Sequence, residues 1–432
     1  MTQNLRFSGT SISPELTNIN TSKTLSWGDL TSGNSYTAAR YHNSGNNTTG
    51  YWYNFAGASA MTIATNSNSN PATYDICPKG WKLPTSSELA TITSSSSSFS
   101  PITGGYYSGG SATSTTSGYW WASDASSTTV RYRLQWNGSA LSSTGTNNRR
   151  HGLYIRCKKL PPTMQSVDSS TLASMMPNLG DTTTLRDARD DQEYSVAKLA
   201  DGQYWMTTNL NLAGGTALSA DDTDVTSDYI SSFSTSNNLT KTGSTIILPA
   251  SSTSGFNTDN YSYVYNSGKT GTDCSSPGCY SYYSWDAAVL GSGRSITTDN
   301  TDAPYSICPK GWRLPNTRSG TDGSSDFRAL AIALGGSSSI SEYKNSSTSP
   351  TGSEMLSLVM ASPNNFHFTG RYYAGGSFYD DSIFGYYWSS TSYDAQNSRS
   401  LCIYSYNGDI GANFASPLYR PGGSSIRCIK SS

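Results

Sequence analysis

Ile76-Cys77-Pro78-Lys79-Gly80-Trp81-Lys82-Leu83-Pro84 recurs further along the chain as Ile307-Cys308-Pro309-Lys310-Gly311-Trp312-Arg313-Leu314-Pro315. Two more segments recur in the same order. Gly118-Tyr119-Trp120-Trp121-Ala122-Ser123 returns as Gly385-Tyr386-Tyr387-Trp388-Ser389-Ser390, and Ile155-Arg156-Cys157 returns as Ile426-Arg427-Cys428. A shared order of three motifs means two copies of one domain, with a period too long for a solenoid, so each copy is expected to bury its own core. The copies are read as residues 1–159 and 181–432, with a proline-containing linker at 160–180. Met1 aligns with Met206, Trp52 with Tyr282, Leu83 with Leu314, Tyr106 with Tyr372 and Cys157 with Cys428. The growing offset places insertions in copy two before Tyr282 and between Pro315 and Tyr372. Copy two also opens with a hairpin, Thr183 to Gln203, that copy one lacks. The first copy is therefore expected to be truncated at its N-terminus, a signal sequence having been lost with it.

The seven cysteines follow the repeat. Cys77 with Cys157, and Cys308 with Cys428, sit early and last in each copy. A disulfide tying the last strand back to the domain centre explains that placement and stabilises by roughly 4 kcal/mol in the chain-entropy account. Cys274 and Cys279 read as a small local disulfide loop. Cys402, aligned with Tyr132, is left over as a buried strand residue. Zinc is the competing reading, but no Cys-x-x-Cys pair or His/Cys cluster is present. Disulfides imply an oxidising compartment.

Composition agrees. Charged residues make up 13% of the chain, against roughly 25% in ordinary soluble domains, and aromatics make up 12%, with 30 tyrosines. Such aromatic content argues against disorder. A net charge of −1 makes nucleic acid and anionic membrane poor partners. No stretch approaches the ~20 apolar residues needed to cross a bilayer. The chain reads as an extracellular, strand- and loop-rich α+β protein kept soluble by hydroxyls and amides. Helices are few. Thr85 to Glu88 is a capping box opening a short helix, and Ser325 to Leu334 and Ser353 to Ala361 are the others. Arg131 to Trp136 and Leu401 to Tyr406 are strands running into Asn-Gly hairpin turns.

At its repeated motifs the chain resembles the Fibrobacter succinogenes major paralogous domain family. More distantly it resembles the formylglycine-generating enzyme superfamily and the variable proteins of diversity-generating retroelements. The resemblance implies two tandem C-type-lectin-like domains. Formylglycine-generating enzymes use a reactive cysteine pair near the C-terminus that has no counterpart here, and His42, His151 and His367 do not repeat between copies. No catalytic residue and no cofactor are expected. Calcium-dependent sugar binding has weak support: Trp136-Asn137-Gly138 and Tyr406-Asn407-Gly408-Asp409 only approximate the lectin motif. The acidic run Asp221, Asp222, Asp224 and Asp228 is a weak candidate for a hard cation.

The resemblance to retroelement proteins points to a calcium-free binding surface on the C-terminal strands. Its candidate residues are Tyr393, Asp394, Asn397, Arg399, Tyr404, Tyr406, Asn407, Asp409, Asn413, Phe414 and Tyr419, with Arg131, Gln135, Trp136, Asn147, Arg149 and Arg150 aligned in copy one. Tyrosine suits this role because it offers a large rigid area and a hydroxyl at low entropic cost. The function expected is non-catalytic binding of an extracellular glycan or protein by a secreted or surface-displayed protein. A structural or adhesive surface protein and a degenerate enzyme of the formylglycine-generating fold are the alternatives. Trp81, Trp312, Trp121 and Trp388 are expected in the core, with Arg156 and Arg427 buried beside the closing cysteines.

Overall fold

The computed structural model describes residues 1, 3–6, 11–18, 25–26, 40–41, 50–60, 71–92, 99, 101–109, 111–235, 238–252, 264–266, 281–319, 325–345, 349–373 and 377–431. The proposed Cys274–Cys279 loop and His42 lie outside them. The chain divides into two compact units, Met1–Leu160 and Pro161–Ser432. Strands are many and short, helices few and at most nine residues long.

In the first unit, strand Gly118–Ala125 pairs antiparallel with Val130–Trp136, which pairs with Leu141–Asn148. Every residue of Gly118–Ala125 is buried because both faces are covered. Side chains alternate across a strand. Tyr119 and Trp121 therefore join Tyr53, Phe55, Ile76 and Cys77, while Trp120 and Ala122 join Trp52, Leu89, Phe99 and Leu134. Strand Trp81–Lys82 pairs with Lys158–Lys159, and just before that pairing Cys157 is bonded to Cys77. The short helix Ser86–Ala90 carries the expected capping box of Thr85 and Glu88. Lys82 and Lys158 both reach the Glu88 carboxylate, at 2.8 and 2.9 Å, so the helix start is fixed to that strand pair.

The second unit repeats this plan on a larger scale. Trp312–Arg313 pairs with Ile429–Lys430, and Cys308 is bonded to Cys428. This pair continues through Tyr204–Met206 into the hairpin of Glu193–Lys198 and Thr182–Arg186, a five-stranded sheet. The second sheet has six strands in the order Glu342–Lys344, Asp409–Tyr419, Asn397–Tyr406, Phe384–Ser392, Thr369–Tyr372, Phe378–Asp381. The Asn407-Gly408 turn has φ of +50° and +87°, the geometry that Asn-Gly favours in a two-residue hairpin. One face of this sheet presents Tyr387, Leu401, Ile403, Ala412 and Phe414 to helices Asp326–Ala333 and Gly352–Met360. The other presents Tyr386, Trp388, Cys402 and Leu418. Helix Gly352–Met360 is capped by Thr351 and Glu354, a box not read from the sequence.

The duplication extends to individual hydrogen bonds. Trp121 Nε1 donates to Tyr53 O and Trp388 Nε1 to Tyr283 O, both at 2.7 Å. Arg156 Nε donates to Asn4 Oδ1 at 2.9 Å and Arg427 Nε to Asn209 Oδ1 at 2.8 Å. Each guanidinium covers an aromatic ring, Phe99 at 4.3 Å or Phe366 at 4.4 Å. Arg427 also donates to the Asn364 and Asn365 carbonyls. Burial draws its pKa down to about 10, which still leaves it charged at neutral pH.

Two alignments need correction. The isolated bridges Tyr107 to Gly152 and Tyr372 to Gly423 make Tyr107, not Tyr106, the counterpart of Tyr372. Cys402 pairs with Tyr386 as Gln135 pairs with Tyr119, so its counterpart is Gln135, not Tyr132. Cys402 is buried in its strand as expected. Of the stretch expected to be a linker, Met164, Val167, Leu172 and Met176 are buried in the second unit's core, and Ser169–Met175 is helical. Among the four expected core tryptophans, Trp121, Trp312 and Trp388 are buried, whereas Trp81 is half-buried.

Two outcomes follow. Non-reducing peptide mapping should link Cys77 to Cys157 and Cys308 to Cys428, and Cys77→Ser with Cys157→Ser should lower the unfolding free energy of the first unit by roughly 4 kcal/mol; free thiols at these positions in secreted material would contradict the assignment. Arg427→Met should cost the second unit about 3 kcal/mol or more, because it strands buried carbonyl oxygens, and urea unfolding measures it.

Candidate functional site

The face bearing Tyr386 and Cys402 is covered near Trp388 and Leu418 but opens toward the Asn407-Gly408 hairpin. There it forms a groove of about 420 Å³. Strand alternation supplies its floor. Phe384 and Tyr386 project from one strand, and Cys402, Tyr404 and Tyr406 from the next. The Phe384 ring lies 5.7 Å from Tyr386, 6.1 Å from Tyr404 and 6.0 Å from Tyr406. Tyr406 is 49% exposed and Tyr404 half-buried. Polar side chains form the rim: Glu342 and Lys344 from the edge strand, Asp409 and Asn413 beyond the hairpin, and Arg371 opposite.

The electrostatics is balanced. Lys344 Nζ lies 3.1 Å from Glu342, whose other oxygen accepts from the Tyr404 hydroxyl at 3.3 Å. Burial first, then the Glu342 charge, raises the Tyr404 phenol above its ordinary pKa. Arg371 covers the Tyr386 ring at 4.6 Å and pairs with Asp380 at 3.1 Å. Burial pushes the Cys402 thiol up to about 12, so it is a neutral thiol at physiological pH. Such a surface can stack a flat apolar ring face on tyrosine and hydrogen-bond hydroxyls or amides at the rim.

Of the residues expected to bind ligand, the groove gathers Tyr404, Tyr406, Asp409 and Asn413. Asn407 is exposed in the adjoining turn. The rest lie elsewhere. Phe414 is fully buried against the helices, since it neighbours Asn413 and faces the other way. Arg399 is buried and holds loops together, with Asp299 at 2.6 Å and the Ala415 carbonyl at 2.8 Å. Asp394 accepts from the Gln396 and Asn397 amides, both at 2.7 Å, and shapes a turn at the far end of the strand. Tyr393 is exposed beside Arg399, and Tyr419 pairs with Asn397 at that same end. In copy one, Arg131 is buried over the Phe55 ring at 4.8 Å and also acts in packing. Sequence reasoning missed Glu342, Lys344, Arg371, Phe384 and Tyr386. Phe384 and Tyr386 were within reach, since they alternate out of the recurring Gly-Tyr-Tyr-Trp segment; Glu342 and Lys344 lie in an insertion without a counterpart in copy one.

The acidic run does not gather into a cation site. Among the described residues no group of three His, Cys, Asp or Glu is placed to hold a metal. Asp222 accepts from the Ser219 amide at 3.0 Å, and Asp228 sits in the first turn of helix Ser227–Ser232; Asp221 is exposed. Asp224 accepts from the Ser306 hydroxyl at 2.7 Å, and that hydroxyl accepts from the Cys308 and Leu314 amides. In the first unit Asp75 alone takes the equivalent amides, of Cys77 at 2.7 Å and Leu83 at 2.8 Å. Asp224 therefore completes the support of the Cys-Pro-Lys-Gly turn.

The family model described as Fibrobacter succinogenes major domain matches residues 200–430, more than half of the chain. No curated protein and no solved structure matches it.

Burial pushes Asp224 up to about 6. A carboxyl with a raised folded pKa favours the fold while protonated, and that contribution is lost as pH rises through the folded value. Asp224 thus favours the folded second unit as pH falls from 7 toward 5, as does Asp190, also raised to about 6, while His367, lowered to about 4, acts in the opposite direction; the wild type should therefore gain stability relative to Asp224→Asn over that range. Equal pH dependence of the two proteins in urea unfolding would contradict this.

Proposed function

The chain belongs to the Fibrobacter succinogenes major domain family, and from that premise we propose that it is a non-catalytic extracellular binding protein. It recognises a glycan or protein ligand through the groove of the second unit and the equivalent face of the first. The observation that carries the reading is the groove itself: adjacent tyrosine rings on a rigid sheet, rimmed by Glu342, Asp409 and Asn413. Its volume of about 420 Å³ falls within the range of small-molecule sites. In this reading each unit is a C-type-lectin-like domain. The closing strand bonded to the Cys-Pro-Lys-Gly-Trp turn, and the single short helix that follows it in the first unit, support that reading.

Secretion or surface display is supported by the two disulfides. Among the described residues no helix is long and apolar enough to cross a membrane. An enzymatic reading draws no support from the candidate nucleophile or bases. Burial first, with the Glu342 and Asp380 charges acting in the same direction, keeps Cys402 protonated, and burial together with the Arg427 charge lowers His367 to about 4. An adhesive role has one observation in its favour. Tyr373, Phe378 and Tyr379 are 46%, 39% and 51% exposed at the sheet edge, an aromatic patch outside the groove.

Arrays of glycans and surface proteins, probed with the full chain in calcium and in chelator, test the function. Tyr404→Ala with Tyr406→Ala should weaken binding by about tenfold or more, equally in both media. Binding abolished by chelator would overturn the calcium-free reading, and binding indifferent to both substitutions would overturn the groove.

A further inference from the structure

The near-neutral whole chain conceals a division. Residues 1–160 hold 12 Lys and Arg against 5 Asp and Glu, whereas residues 161–432 hold 16 against 24. The first unit is thus cationic by 7 charges and the second anionic by 8.

The equivalent faces differ in how one shared cation is compensated. In both units a guanidinium lies on the tyrosine that begins the Tyr-x-Trp stretch. Arg371 covers Tyr386 at 4.6 Å, and Arg133 covers Tyr119 at 4.8 Å. The two arginines reach this place from different strands, Thr369–Tyr372 and Val130–Trp136. Arg371 is neutralised by Asp380, on the edge strand Phe378–Asp381. The corresponding edge strand of the first unit is Ser111–Thr113, which is Ser-Ala-Thr and brings no acid. Arg133 instead donates to the Gln135 side-chain oxygen at 2.6 Å and to the Thr146 carbonyl at 3.4 Å. Among the described residues no carboxylate pairs with it.

Its other neighbours are neutral. Tyr106 packs edge-on against Tyr119 at 5.0 Å and stacks on His151 at 5.0 Å. The Asn147 side-chain amide nitrogen lies 3.0 Å from His151 Nδ1. Gln135 Nε2 donates to the Tyr119 hydroxyl at 3.2 Å. The face thus offers, among the described residues, the Arg133 guanidinium without a carboxylate partner, beside phenols, an amide and an imidazole. A planar guanidinium fork matches a planar carboxylate, and the surrounding neutral donors and acceptors match sugar hydroxyls. Dense phosphate would call instead for several clustered cations.

We propose that the first unit binds a carboxylate-bearing sugar, a hexuronate within a glycan, with Arg133 as the carboxylate contact, while the second unit, whose Arg371 is neutralised by Asp380, binds a ligand without that charge. The proposal rests on the reading of this face as the recognition surface. The test measures binding of the full chain to galacturonate, glucuronate and mannuronate oligosaccharides and to their carboxyl-reduced counterparts, at low and physiological salt. At least one uronate should bind roughly tenfold or more tightly than its reduced form, and Arg133→Gln should erase that preference. Asp380→Asn supplies an independent arm: by releasing Arg371 it should confer a carboxylate preference on the second unit. The absence of any carboxylate preference, its persistence in Arg133→Gln, or equal Arg133-dependent binding of single-stranded DNA would each overturn the assignment. If Tyr404→Ala impairs array binding while Arg133→Gln leaves uronate preference intact, the charge assignment falls and the face stands. If neither substitution affects any binding, the face itself falls.

Discussion

A guanidinium buried in a protein interior and held by neutral acceptors is a costly group to keep, and the second unit is built around one. Arg427 is fully buried, held by an asparagine side chain, two main-chain carbonyls and an aromatic face. Desolvation of an ion must be offset by well-placed acceptors, so those acceptors cannot move far without loss of the fold. Asn209 comes from the segment that follows the first hairpin, Asn364 and Asn365 from the loop after helix Gly352–Met360, and Phe366 from the approach to the six-stranded sheet. One side chain thereby joins distant stretches of sequence, and the adjacent Cys428 fixes the same strand to the Cys-Pro-Lys-Gly-Trp turn. The Asn4, Arg156 and Phe99 arrangement shows the first unit obeying the same constraint.

With the closing strand so fixed, the hairpin strands that carry the groove can vary in sequence at little cost to the core. Their inward positions are constrained: Leu134 and Leu401 are equivalent and both buried. Their outward positions are not. Gln135 becomes Cys402, and the arginine above the shared tyrosine arrives from a different strand in each unit. A similar exchange occurs deeper in the structure, where Arg131 covers Phe55 and Arg420 covers Trp285, at 4.8 and 4.3 Å. The geometry of the cation over the ring persists while its source in the chain changes.

The recurring motifs made the scaffold legible. The disulfide partners, the Thr85 capping box, the Asn-Gly turn and the burial of Trp121, Trp312 and Trp388 depend on local chemistry or on repeated cysteines, both visible in a string of letters. The groove was legible only in part. Assigning side chains to one face of a strand needs an unbroken period of two, and bulges interrupt it between Trp388 and Ser392 and between Ser400 and Cys402. A register shift of one residue moves a side chain to the other face. Hence Tyr404 and Tyr406 line the groove, while Arg399 and Phe414 are packed in the interior and the counterpart of Tyr372 lies one residue from its expected position. Glu342 and Lys344 reach the groove through tertiary pairing of an inserted strand with Asp409–Tyr419, which nothing local in the sequence announces.

Hydrogen–deuterium exchange along the full chain, with and without a ligand selected from the arrays, tests most directly whether this sheet face is the recognition surface. The account expects slowed exchange in segments 384–386 and 402–413 of the second unit or in segments 117–119 and 133–151 of the first. Slowed exchange confined to other segments, with these unchanged under saturating ligand, would contradict it.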